Sequence, residues 1–191
     1  MTVWLLLLSL AGAVELSPGI LVDRTIAVVD KKVITYSELL REARVALVIR
    51  QDVQTASSEL SPELLHDYLN FLVDEVVIAA QARRVGGMDV SGEEVDRAAE
   101  RFAARFPSVE AFRAFERRFD ISETALKDIL RRNLHNERYI AQRMKAWRAT
   151  VEEGKPGADK EYQQALARWV GELRAGVELR LLSPSGELEV Q

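Results

Sequence analysis

The sequence predicts a mainly α-helical protein with a small β-sheet that joins the two ends of the chain. Three observations predict it. Apolar residues recur at helical spacing through most of 36–150. A short β-rich stretch, 24–34, precedes the first helix, and a second alternating stretch, VELRLL at 177–182, follows the last. A lone hairpin is marginal in water, so the front strands need a partner, and the terminal strand is the natural one.

The elements follow in order. Residues 24–29 read as a strand, Asp30-Lys31-Lys32 as a tight turn, and Val33-Ile34 as a second extended piece. Thr35 and Glu38 have the spacing of a capping box, in which the hydroxyl takes a helix N–H and the carboxylate reaches back. The first helix should cover 36–53, with Leu39, Leu40, Ala43, Ala46, Leu47 and Ile49 on its apolar side. The polar run QTASSEL, 54–60, reads as a loop. Ser61-Pro62 opens a second helix, with serine as cap and proline where its missing N–H costs nothing. That helix should stop at Gly86-Gly87. Its second half, FLVDEVVIAAQA, is apolar nearly all round, so it is either buried on several sides or covered by a partner.

Ser91 and Glu94 form another capping box ahead of a helix over 93–106. Pro107-Ser108 breaks the chain before a helix over 109–118. Ser122 caps a long helix to about 150 whose stripe runs through Leu126, Ile129, Leu130, Leu134, Ile140, Met144 and Trp147. Residues 152–160, EEGKPGADK, read as a linker or sharp reversal. A last helix over 161–175 carries Leu166, Trp169, Val170 and Leu173 on one face. In the closing strand Val177, Leu179 and Leu181 alternate with Glu178 and Arg180, and Leu188 and Val190 repeat the pattern after a turn at 183–186.

The 191 residues suit one domain of ordinary size, and 48% hydrophobic with 29% charged content is a folded, not a disordered, composition. A net charge of −4 gives no global reason to expect nucleic acid. The absence of cysteine excludes disulfides, thiolate nucleophiles, Cys-ligated metals and a lipoprotein anchor. At the start, VWLLLLSL followed by Ala11-Gly12-Ala13 is too short for a span of roughly 20 residues. It has the pattern of a signal peptide, 1–13, cleaved after Ala13 or at a point up to about residue 19; no Lys or Arg precedes the apolar run, which leaves an uncleaved anchor or a misassigned start codon as the alternatives. The expectation is an exported, periplasmic protein with no membrane span after cleavage.

The order of motifs resembles a known family. Asp23-Arg24-Thr25-Ile26-Ala27-Val28-Val29-Asp30, then Val33-Ile34-Thr35 and Ser37-Glu38-Leu39, is similar to the opening of the N-terminal domain of SurA-type periplasmic chaperones and their PpiC-like relatives. LNFLVDEVVIAAQARRV at 69–85 resembles the family's long helix, and Val90-Ser91 with Glu93-Glu94-Val95-Asp96 resembles the start of its next one. Phe112 to Phe119 followed by Ile121-Ser122 and a long basic helix also fits, as does Trp169 with Glu172-Leu173-Arg174-Ala175 near the end. The resemblance implies a helical chaperone domain over 20–151 and a C-terminal helix and strand, 161–191, packed back onto it. It also implies binding of unfolded or extended apolar polypeptides such as outer-membrane protein precursors. The family usually carries one or two parvulin prolyl-isomerase domains where this chain has only 152–160. No parvulin opening or glycine-rich parvulin loop occurs, so the resemblance carries over no catalytic residue and implies a protein that is not an enzyme.

Candidates for an adaptable apolar peptide-binding groove are Phe102, Phe106, Phe112, Phe115, Phe119, Tyr139 and Met144. The phenylalanines also fall at spacings that would bury them in a core, and both readings stand at this level. The basic run Arg131, Arg132, Arg138, Arg143, Lys145 and Arg148 reads as a solvated face, or as a rim that attracts acidic partners; nucleic acid is not expected. His66 and His135 lack ligand spacing, so neither metal nor cofactor is expected. The acid pairs Asp74-Glu75, Glu93-Glu94 and Glu152-Glu153 read as caps and solvation. The all-round apolarity of the second helix also leaves open a dimer with exchanged helices.

Overall fold

A computed structural model describes residues 23–87, 89–148, 157–182 and 188–189. The expected export segment, most of the expected linker and the turn at 183–186 lie outside them. Strand β1 (Thr25–Val29) and strand β2 (Lys32–Thr35) form a hairpin, as the turn residues dictate. Asp30 takes up the left-handed backbone of that turn at φ 52°, a conformation its short polar side chain tolerates. Ile26 is an extra residue in β1 where the register shifts, so Ile26 and Ala27 are both buried.

Strand β3 (Leu179–Leu182) pairs antiparallel with β1, with Ala27 opposite Leu181 and Val29 opposite Leu179. The backbone of strand β4 (Leu188–Glu189) extends the sheet, whose order is β2-β1-β3-β4. The two ends of the described chain therefore meet, as the alternation predicts. Asp30 fastens the junction twice: its N–H donates to the Glu178 carbonyl at 2.7 Å, and its carboxylate accepts the Glu178 N–H at 2.9 Å.

Helix α1 (Tyr36–Ile49) starts where predicted, but its capping box is only half made. The Thr35 hydroxyl accepts from the Glu38 N–H, while the Glu38 carboxylate turns to Lys32 at 2.7 Å. The helix ends four residues before the predicted Val53, because Gln51 adopts φ 67° and Asp52 caps a new turn, α2 (Val53–Ala56). The expected loop after it is thus partly helical. Helix α3 (Pro62–Val85) matches the expected bounds, capped by Ser61 and closed at Gly86 with φ 73°. Helix α4 (Gly92–Ala103) carries the complete Ser91–Glu94 box. It stops short of 106, the chain reaching Phe106 through turns. Helix α5 (Val109–Arg118) agrees with its prediction, and helix α6 (Glu123–Arg148) begins at the Ser122 cap. Helix α7 (Ala158–Ala175) begins three residues earlier than the linker reading allows, so residues 149–157 are all that separate it from α6.

Helix α3 is the central rod. It packs against α1, α6, α7 and β1, which explains its near-continuous apolar surface. The main core gathers the sheet, α1 and α3 to α6 around fully buried Ile34, Val45, Val48, Val73, Val95, Phe102, Ile121 and Leu126. A smaller cluster of Ile78, Ala82, Tyr139 and Trp169 fastens α7 to α3 and α6.

Candidate functional site

The seven predicted groove residues are mostly interior. Phe102, Phe106, Phe112 and Phe115 are buried, and Phe119 is half-buried against them. Their rings stack around the α4–α5 corner. Phe102 lies 5.9 Å from Phe106 and 6.1 Å from Phe112; Phe106 and Phe115 are 5.0 Å apart, as are Phe115 and Phe119. The Arg44 guanidinium closes the outer end, 3.7 Å from the Phe119 ring centre, and donates to the carbonyls of Ala56 and Ser58. Tyr139 packs on Trp169 with ring centres 5.7 Å apart, and Met144 is buried. In this arrangement the seven side chains hold helices together and offer little apolar surface to a ligand.

The open apolar surface lies elsewhere, between α3, α6 and α7. A groove of about 360 Å³ there is lined by Phe71 and Ile78 of α3, Ile140 of α6, and Leu166 and Val170 of α7. Phe71 is 41% exposed, unusual for so large an apolar side chain. Leu166 and Val170 belong to the helical stripe legible in the sequence. Nothing in the helical spacing singles out Phe71; its signal is the apolar excess of the second helix, more than one buried face requires.

A polar seam runs along the groove. Arg174 holds Asp74 at 3.3 Å and donates to the Asn70 carboxamide at 3.3 Å, fixing α7 to α3. Behind it, Asn136 is almost fully buried and donates to the Glu75 carboxylate at 2.7 Å and to the Glu75 carbonyl at 3.0 Å. Arg132 pairs with Glu42 at 2.5 Å, tying α6 to α1. The solvated reading of Asp74-Glu75 holds only in part, because α6 and α7 cover part of that side of α3 and leave Asp74 half-buried and Glu75 turned to Asn136. Burial raises the pKa of Glu42 against the opposing pull of Arg132. Burial likewise raises Glu75, partly offset by the Asn136 hydrogen bond, and raises Asp74 against Arg174.

The basic run of α6 is not one continuous solvated face. Arg131 pairs with Asp128 at 2.9 Å, Arg132 is inside the seam, and Arg138 binds the Glu94 carboxylate and the Asp89 carbonyl. His66 is exposed on α3 and His135 half-buried on α6. Among the described residues no group of three or more His, Asp or Glu side chains could hold a metal ion, and no helix is long and apolar enough to cross a membrane. Compared with known proteins, the chain matches no family model and no curated protein sequence.

Proposed function

We propose that this is a periplasmic chaperone-like protein that binds unfolded or extended apolar polypeptides, such as outer-membrane protein precursors, without prolyl-isomerase catalysis. The observation that carries the reading is the α3–α6–α7 groove, an open apolar channel with a partly exposed phenylalanine and a charged edge. Such a channel suits side chains of many sequences, because its contacts are non-directional. The order of elements supports it as well: a front hairpin, a helical body, and a terminal helix and strand that return to β1 are what the SurA-type resemblance implies. Export rests on the apolar run and Ala11-Gly12-Ala13 at the start of the sequence.

Light scattering of several unrelated outer-membrane proteins diluted from urea tests the reading. Suppressed aggregation across clients is expected. Suppression of one client alone indicates a single-partner scaffold, and suppression of none sinks the proposal. A proline-peptide isomerisation assay on the same preparation should show no turnover; clear turnover would make the protein an enzyme.

A further inference from the structure

A second cleft, of about 820 Å³, lies at the C-terminal end of α3 beside the β1–β2 turn. That size is within the roughly 300–1,000 Å³ typical of ligand sites. Its apolar lining is thin: Val29 from β1 and Val76 and Val77 from α3 are buried, while Ala80 of α3 and Val177 ahead of β3 are half-buried and form the accessible floor. Its rim is basic, with Lys31 and Lys32 from the turn facing Arg83 and Arg84 from the last turn of α3.

The acidic groups on the same rim are already engaged. The Asp30 carboxylate accepts the Glu178 N–H, and the Glu178 carboxylate pairs with Arg180 at 3.1 Å. Lys32 is held by Glu38. Lys31, Arg83 and Arg84 are exposed and make no ion pair or side-chain hydrogen bond among the described residues. The chain as a whole is acidic, so this positive surplus is local. A helix C-terminus favours cations nearby, which accounts for Arg83 and Arg84 in the last turn of α3; it does not account for Lys31, which comes from the β1–β2 turn.

We propose that this cleft docks extended polypeptide segments in which acidic side chains alternate with apolar ones. The apolar side chains lie on the half-buried Ala80 and Val177, and the carboxylates meet Lys31, Arg83 and Arg84. Among the described residues the cleft carries no aromatic platform for stacking bases, so a peptide fits it better than single-stranded nucleic acid. The inference deepens the chaperone reading, and rests on it in taking the partner to be an unfolded polypeptide.

Fluorescence anisotropy of the whole chain with three labelled peptides of equal length tests it. In the peptides valine alternates with glutamate, serine or lysine. The glutamate peptide should bind tightest and the lysine peptide weakest, and raising salt from about 0.05 M to about 0.5 M should narrow the gap, because surface charges are then screened. Arg83→Glu with Arg84→Glu should weaken the glutamate peptide about tenfold, a few-fold for each exposed pair. Arg83→Gln with Arg84→Gln, which only neutralises the charges, should give a smaller loss and serves if the reversal disturbs folding. Equal binding of the three peptides, or binding indifferent to both double variants, overturns the inference, as does a preference for anionic phospholipid vesicles over the glutamate peptide. Aggregation suppression without glutamate-peptide selectivity removes this inference and leaves the chaperone reading. Selective peptide binding without any suppression does the reverse.

Discussion

Phe102→Ala separates the two roles open to the phenylalanine cluster. Phe102 is 1% exposed, with Phe106 and Phe112 as ring neighbours. Returning a buried phenylalanine to water forfeits about 1.5–3 kcal/mol of transfer free energy. Each of the two ring contacts adds about 0.5–1.5 kcal/mol. With the cavity left behind, the expected loss is about 3–5 kcal/mol, a large part of the roughly 5–15 kcal/mol that holds an ordinary domain together. Urea unfolding followed by far-UV circular dichroism gives the number from the shift in midpoint at constant slope. Phe71→Ala, in the open groove, should cost about 1 kcal/mol in the same assay and weaken client binding instead. If Phe102→Ala does not fold, Phe102→Leu should still fold with a loss of about 1–1.5 kcal/mol. A loss below about 1 kcal/mol for Phe102→Ala, together with weakened peptide binding, would refute the assignment of this cluster to the core.

Three further outcomes follow from the geometry. Burial holds Glu42 and Glu75 above the ordinary carboxylate value of 4.5, so the folded state keeps their protons longer than the unfolded chain does. Their contribution to stability should therefore fall as pH rises from that value through the raised ones, and Glu75→Gln should flatten the fall; urea midpoints across the pH series check it, and an unchanged slope counts against it. Arg44→Met leaves the Ala56 and Ser58 carbonyls without their donor and should cost about 2–4 kcal/mol by the same unfolding measurement. Arg180→Pro removes the backbone N–H that faces Val28 in the β1–β3 ladder, two residues along from the Asp30–Glu178 bond, and should cost about 1–3 kcal/mol and speed amide exchange at Val28.

Secondary structure was largely legible because caps and periodicity are local. Ser61-Pro62, Ser91 with Glu94, Ser108 and Ser122 each mark a helix start that the structure keeps. The end-to-end sheet was legible for a different reason, since strands near the two ends had few other partners to choose. The end of α1 was not, because it depends on a left-handed Gln51 that competes with good helical pattern. The candidate site was the least legible part. Helical spacing identifies a face but not what covers it, so Phe102, Phe106, Phe112 and Phe115 favour the core by their spacing yet still fit a groove until α4 and α5 are seen to fold onto one another. Asp74 and Glu75 look solvated on a single helix, and only the placement of α6 and α7 half-buries them. The exposed Phe71 sits among interior neighbours in the sequence, with nothing local to mark it as the residue left open.

Site-specific photocrosslinking to an unfolded outer-membrane protein tests the groove most directly. With a photoreactive phenylalanine analogue placed singly at Phe71 in the groove, at Phe102 in the core and at exposed Val109 on α5, the account predicts client adducts at Phe71 and few or none at the other two. Adducts of equal yield at all three positions, or adducts at Val109 without any at Phe71, would contradict it.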